Sequence, residues 1–382
     1  MNIALLSKSS SYQHLAKKFI DQGHTVEMFY DMSIKLSTKP KFFMASGIPV
    51  CRNSYMHSLL SNNKIPYFFV NNKSTEYEND KFLTKKMLRE LNIPTPNGIL
   101  VTGAELKTNF NTYAIPFVIK INYAYFYGRQ TIVVTEENKE EVYKFLFNKS
   151  IYHIKDDASI VIEDYVEIDR EYSYHALFNY NCWRFFGAAR DYKKIEDGDE
   201  GYNSVSCGAY STQEVDEIVH TYADKIYKYF KKINLMYRGF IFLGIAVRKD
   251  GTPMVLEINT RSGDPELQVM VECIENDLAS LFLNASCDYV LPQIKFNRKQ
   301  AVTVSLLNQH YDWTIPAYDL PDLKDIPPNI IYSKDQFPDG LKHGVLTAVS
   351  DTKEKASKII YDYLNTQYIG QYRYRNDIGI LK

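Results

Sequence analysis

Residues 237–268 constrain the fold more than any other stretch of this chain. Arg238–Arg248 is a nearly continuous apolar run and reads as a buried strand. Lys249-Asp250-Gly251 supplies a hairpin turn, and Met254–Asn259 reads as the partner strand. That partner alternates: Leu256 and Ile258 point one way, while Val255, Glu257, Asn259 and Arg261 share the other parity. Glu257 and Asn259 are therefore neighbours on one face, roughly 7 Å apart at Cα. A carboxylate and an amide oxygen at this spacing suit Mg²⁺, which keeps waters and substrate phosphates among its ligands. A solvated edge strand is the plainer alternative, weakened because the hairpin sets E-x-N beside a strand that belongs deep in a sheet. The following R-S-G-D-P-E adds a cation, a turn and two more carboxylates. Asp264 and Glu266 are read either as first-turn residues of a helix over Asp264–Asn276, with Asp264 as N-cap and Pro265 at N1, or as ligand contacts.

The remaining composition narrows the function classes. With 382 residues, 45% of them hydrophobic and 24% charged, the chain can hold several domains around a substantial core. A net charge of −1 gives no whole-molecule attraction for nucleic acid or an anionic membrane. The 5 cysteines form no C-x-x-C pair, so neither a disulfide framework nor a zinc site is expected. No apolar run reaches membrane-spanning length, and a cytoplasmic protein is expected.

The first seventy residues read as α/β: strand Asn2–Leu6, helix Tyr12–Gln22, Gly23 as its C-cap, strand Thr25–Tyr30 and a further strand over Ile65–Val70. The first strand–helix turn is Ser7-Lys8-Ser9-Ser10-Ser11, either a serine-capped helix start or an anion-holding one. Asn71–Asp80 reads as a polar linker. Lys81–Leu91 is a helix stopped by N-I-P-T-P. Lys120 interrupts the buried strand Ile115–Ile121, and a buried ammonium needs a partner that a phosphate could supply. Asn122–Gln130, with Arg129 near its tip, reads as a loop that could fold over phosphates or simply pack as a lid. Glu163 and Glu171 could accept bonds from a nucleobase amine and ribose hydroxyls, or form part of a charged hairpin. Asp191–Ser211 reads as a long irregular stretch, and such loops are usually functional. No P-loop, kinase signature or nucleophile elbow is present.

From about Asp80 onward the chain resembles ATP-grasp ligases, and among these the phosphoribosylamine–glycine ligase (glycinamide ribonucleotide synthetase) family. The resemblance rests on Lys81–Pro96, P-F-V-I-K at Pro116–Lys120, I-V-I-E-D-Y at Ile160–Tyr165, Asp191–Asn203, C-G-A-Y-S at Cys207–Ser211, Tyr237–Gln268 and R-N-D-I-G at Arg375–Gly379. It implies a multidomain α/β and α+β protein with an ATP-grasp fold. An N-terminal doubly wound domain (residues 1–78) would precede the ATP-grasp core (79–295, lid at about 110–168) and a small C-terminal α+β domain (296–382). It further implies ATP with Mg²⁺, or Mn²⁺ in its place, and an ADP-forming reaction that joins a carboxylate to an amine. Carried over by position, Lys81 and Lys120 would contact phosphates, with Arg129 on the covering loop. Glu163 with Tyr165 and Val166 would meet adenine, and Glu171 the ribose. Glu257 and Asn259 would bind metal, while Arg261 and Asp264, with the Asp191–Asn203 loop, would face the acyl and amine substrates.

Departures from the family concentrate at the amine side. Its glycine-rich N-terminal turn is here K-S-S-S-Y-Q-H, with Tyr12 where the family has an arginine, and its G-P-E-x-P is here S-G-I-P at Ser46–Pro49. Its G-G-M-G is V-S-C-G at Val205–Gly208. Small-molecule substrates are therefore expected, glycine or another small amino acid and an amine other than phosphoribosylamine. A divergent purine-pathway ligase and a non-catalytic ATP-grasp module are the alternatives. The oligomeric state is left as monomer or homodimer.

Overall fold

The computed structural model describes residues 1–31, 34, 36, 39–45, 54–69, 71–122, 131–148, 153–235, 237–309, 323–335, 341–367 and 372–380. Arg129, the remainder of its loop beyond Asn122, and Ser46–Pro49 lie outside them.

Four parallel strands open the chain: β1 (Asn2–Leu6), β2 (Thr25–Phe29), β3 (Phe42–Ala45) and β4 (Tyr67–Phe68), in the order β2-β1-β3-β4. Helix α1 (Ser10–Asp21) crosses from β1 to β2, and α2 (Ser54–Asn62) from β3 to β4. Strand β1 is buried over Ile3–Leu6, as a parallel strand covered on both faces requires.

The stretch expected to be a linker is instead helix α3 (Asn72–Asn79). Its sequence carries no apolar periodicity. The helix is started by a capping box, in which Asn71 accepts from Ser74 N while the Ser74 hydroxyl accepts from Asn71 N. Tyr77 fastens it to the core against Phe230, with ring centroids 5.0 Å apart. Helix α4 (Lys81–Glu90) follows directly.

A second sheet, β5 (Gly98–Thr102), β6 (Phe117–Ile121), β7 (Thr131–Val134) and β8 (Ser159–Asp164), is antiparallel with order β5-β8-β6-β7. Helices α5 (Gly103–Asn109) and α6 (Lys139–Phe147), with the 3-10 turn Phe110–Thr112 after α5, cover its apolar face through Leu106, Phe110, Val142 and Leu146.

The largest sheet has nine strands. It contains β9 (Ile168–Phe178), β10 (Trp183–Asp191), β13 (Gly208–Thr212), β14 (Gly239–Arg248) and β15 (Pro253–Asn259), joined by β16 (Gln300–Asn308), β17 (Ile330–Lys334), β18 (Lys342–Ser350) and β19 (Tyr372–Arg373). The order is β15-β14-β9-β10-β13-β16-β18-β17, with β19 also on β16. The C-terminal strands thus extend the same sheet that carries E-x-N. Helix α7 (Glu217–Lys232) buries Val219, Tyr222, Ala223, Ile226 and Phe230 on one side. On the other, α8 (Glu266–Glu272) and α9 (Leu278–Ser286) pack between this sheet and the N-terminal one. Phe42, Phe68, Phe186, Phe240 and Phe282 belong to one shared core there. Helix α10 (Lys353–Leu364) covers β16 and β18.

The expectation of an irregular segment over Asp191–Ser211 is also corrected. Lys194–Glu196 (β11) and Glu200–Asn203 (β12) form a two-stranded hairpin, and Gly208–Thr212 is β13.

Candidate active site

Helix α4 begins the site. Asp80 caps it by accepting from Phe82 N and Leu83 N, at 3.0 and 2.9 Å. Asn122, at the end of β6, accepts from Lys81 N at 2.9 Å and donates to Asp80 at 3.2 Å. The helix start is thereby pinned to the strand that carries Lys120. Burial holds the Lys81 ammonium below the ordinary lysine range, with nearby Glu257 opposing the shift.

Lys120 is buried, as the run around it implied, and its partner within the chain is Glu163 on β8, at 3.0 Å. The other Glu163 oxygen faces Lys85 at 2.9 Å. Lys85 lies one turn after Lys81 and also donates to Pro96 O at 2.7 Å. Burial lowers the Lys85 ammonium to about 8 even with Glu163 beside it. Lys120 additionally donates to Leu256 O at 2.8 Å, which ties the second sheet to the E-x-N strand. Tyr165 and Val166 leave β8 directly after this triad, the tyrosine 44% exposed. Glu171 sits on β9 with its side chain outward.

On β15, Glu257 and Asn259 meet as their shared parity requires: Asn259 Nδ2 donates to Glu257 Oε1 at 3.3 Å. Arg261 reaches Asn259 Oδ1 at 3.4 Å. Gly244 is paired opposite Glu257, and a Cβ there would lie 3.0 Å from Glu257 Cγ. A glycine at that register leaves room for the carboxylate. Although burial works against its charge, Lys193, Lys81 and Lys120 hold Glu257 down at about 2. Its carboxylate is therefore ionised across the physiological range. Among the described residues no group of three or more His, Cys, Asp or Glu side chains converges in metal-holding geometry. One ionised carboxylate with one amide oxygen is nevertheless the sparse donor set that a phosphate-bound Mg²⁺ accepts.

The R-S-G-D-P-E turn is held from three sides. Glu78 of α3 accepts from Arg261 Nε at 2.9 Å and from Thr260 N at 3.0 Å. His175 Nε2 accepts from Gly263 N at 3.0 Å, and burial pushes that imidazole down to about 3, so it stays neutral. The Glu266 carboxyl folds over Gly263, where an added Cβ would come within 2.4 Å of Glu266 Cδ. The capping alternative for Asp264 does not hold. Helix α8 starts at Glu266 with Pro265 as N-cap and no side-chain cap. Asp264 instead accepts from Ser9 Oγ at 2.7 Å and Gln268 Nε2 at 2.9 Å, and pairs with Lys342 at 2.9 Å.

Lys193 stands in an acidic surround. Against partial desolvation, Glu257, Asp191, Glu171 and Glu266 hold its ammonium above the ordinary lysine range. Burial and Asp191 push Glu266 up to about 8, and burial also raises Asp191, which accepts from the Ser206 hydroxyl. A cluster with this mixture of cations and carboxylates can order a polyanion beside a carboxylate and an amine.

Residues 79–267 match the family of the phosphoribosylglycinamide synthetase ATP-grasp (A) domain. Phosphoribosylamine–glycine ligase from Leptospira interrogans is 26% identical over 343 residues, covering 82% of this chain and 78% of that protein. The crystal structure of phosphoribosylamine–glycine ligase from Thermotoga maritima superposes with a TM-score of 0.77 at 22% identity, over 99% of this chain and 100% of that one. The chain is an ATP-grasp ligase similar to phosphoribosylamine–glycine ligases. The fold recurs with a TM-score of 0.63 at 13% identity in N5-carboxyaminoimidazole synthase from Aspergillus clavatus, solved with ADP, over 95% of this chain and 98% of that one.

In this ATP-grasp ligase, Lys81, Lys120, Glu163, Glu257, Asn259 and Arg261 are brought together, whereas Asp264 faces the N-terminal helix. Sequence reasoning missed Lys85, Glu78 and His175, and reached Lys193 only as part of the Asp191–Asn203 loop. Lys85 had one available signal, its position one helical turn from Lys81. Glu78 was hidden by the linker reading, the partner of His175 is remote in sequence, and so are all the carboxylates around Lys193 except Asp191. Among the described residues no helix is long and apolar enough to cross a membrane.

Proposed function

We propose that the protein joins the carboxylate of a small amino acid, such as glycine, to an amine, consuming ATP with Mg²⁺ and releasing ADP and phosphate. The observation that carries this reading is the convergence of Lys81, Lys120 and Arg261 on the ionised Glu257–Asn259 pair. Glu257 and Asn259 would hold Mg²⁺, or Mn²⁺ in its place, and the bound metal would neutralise triphosphate charge. Lys81 and Lys120 stabilise the transferring phosphoryl group, with Arg129 proposed on the covering loop. Tyr165 and Val166, next to Glu163, lie toward the base, and Glu171 toward the ribose. A carboxylate oxygen attacks the γ-phosphorus and ADP leaves. The amine nitrogen then attacks the acyl carbon, phosphate leaves and one proton is released. Arg261 orients the acyl group at this step.

The relatives' own activity, with phosphoribosylamine as the amine, is a second reading, favoured by the extent of the match to those ligases. Growth of a strain lacking phosphoribosylamine–glycine ligase, when supplied with this chain, decides for that second reading. ADP release across panels of amino acids and amines tests the ligase chemistry. ATP binding without amino-acid-dependent release would instead indicate a binding module. Glu257→Ala is expected to lower turnover by at least about a thousandfold, the scale of losing a main charge-stabilising group. Unchanged circular dichroism checks the fold, and undiminished turnover would remove the metal assignment. The boundaries 1–78, 79–295 and 296–382, with a lid at about 110–168, are proposed as the working domain division.

A further inference from the structure

Beyond the C-terminal end of a parallel strand, the N-terminus of the following helix is the default seat for an anion in a doubly wound sheet. In this protein that seat, between β1 and α1, is already filled from within the chain. Ser10 N donates to Asp335 Oδ1 at 2.6 Å, and Asp335 comes from the segment just after β17. Asp264 lies against the same turn through Ser9 Oγ at 2.7 Å and Ser10 Oγ at 3.5 Å. Lys342 lies between the two carboxylates, 2.9 Å from Asp264 and 3.5 Å from Asp335, so its charge is spent inside the cluster. Two carboxylates and one ammonium leave an excess of negative charge. Gln268 adds a second, independent sign. Its Nε2 donates to Asp264, while its Oε1 is buried with no hydrogen-bond partner among the described residues. A buried free acceptor calls for a donor. Asp264 is three residues from Arg261, so this cluster borders the ligation centre.

Resting on the ligase reading above, we infer that the co-substrate bound against the cluster where α1 meets the R-S-G-D-P-E turn is an amine without a phosphate group, recognised through N–H or O–H donors by Asp264, Asp335 and Gln268. A phosphate at the helix start would have to displace Asp335 and sit against Asp264.

Two measurements test this. Hydroxylamine serves as a minimal nucleophile, offered with ATP, Mg²⁺ and a panel of amino acids. Hydroxamate formation reports the ligase chemistry without demanding a fitted amine, and its absence overturns the ligase reading and this inference with it. The second measurement is calorimetric titration of ribose 5-phosphate into protein saturated with Mg²⁺ and ADP. Asp335→Ser, which vacates Ser10 N and leaves Lys342 with Asp264 as its one carboxylate partner in the cluster, is expected to bind it at least about tenfold more tightly than the wild type, a change of about 1.4 kcal/mol. Asp335→Asn, which keeps the shape and removes the charge, should fall between them and guards against a folding defect in the serine variant. Wild-type binding equal to or tighter than that of both variants would overturn the inference while a positive hydroxamate assay left the ligase standing.

Discussion

At the scale of single residues, the site is built on buried charges that satisfy one another. Glu163 is 3% exposed and faces two ammonium groups, from Lys85 and Lys120. Removing its charge strands both cations in a low-dielectric wall, so Glu163→Gln is expected to destabilise the protein by roughly 3–5 kcal/mol in denaturant titration. A loss under about 1 kcal/mol would mean that water reaches the lysines. Glu266 carries the opposite lesson. Its carboxyl keeps a proton up to about 8 in the folded state, whereas an unfolded carboxyl releases it near its usual 4.5. Folding therefore binds a proton between those values, and stability from this group declines as pH rises through that window. Glu266→Gln should flatten that decline in urea midpoints taken from pH 5 to 8, and an unchanged slope would reassign it to another group. Of these residues, Glu257 and Asn259 were legible because strand parity alone puts them together. Lys85 was not, since a helix lysine whose partner lies far along the chain, on β8, looks locally like any surface lysine.

Elements were legible where hydrophobic period controlled them and opaque where long-range contacts did. The hairpin β14–β15 and helix α7 follow directly from apolar spacing. Helix α3 does not, because a capping box and one docked tyrosine hold it. Nor does the hairpin β11–β12, whose strands are short and mostly exposed. The C-terminal tail holds it. Arg375, 1% exposed, pairs with Asp199 and Asp377 at 2.6 Å each. Asn376 N donates to Asp197 at 2.8 Å, and Gly198 N to Asp377 at 2.8 Å. This hairpin begins directly after Lys193. Arg375→Ala should cost about 3 kcal/mol through the largely buried Asp377 carboxylate it leaves without its arginine, Asp199 being solvent-exposed. Hydrogen exchange should then quicken over residues 194–203 ahead of the central sheet. Equal acceleration everywhere would mean the tail holds the whole molecule rather than the hairpin.

Across the whole molecule, the N-terminal sheet is docked by charge as well as by its phenylalanine core. Glu272 of α8 accepts from Lys18 at 2.8 Å and lies 3.0 Å from His14, both on α1. Despite burial, those two partners hold the Glu272 carboxyl at about 2. Its contribution is complete above the ordinary carboxyl value and disappears as pH falls toward 2. Glu272→Gln should lose about 3 kcal/mol at pH 7 and progressively less as the medium is acidified, read from thermal midpoints. A deficit that stays constant with pH would make the loss one of packing.

The nine-stranded sheet has a further consequence, for how such a protein acquires new substrates. Strand β13 on the ligase side hydrogen-bonds β16, and β17 ends beside Asp335, the residue that fills the α1 turn. The strand carrying E-x-N and the strand that leads to Asp335 belong to one continuous ladder. Cutting that ladder would bare an edge open to aggregation. Such a scaffold does not diversify by exchanging modules. On the proposed function, it would diversify by residue changes at strand ends and in the first turn, where K-S-S-S-Y-Q-H stands.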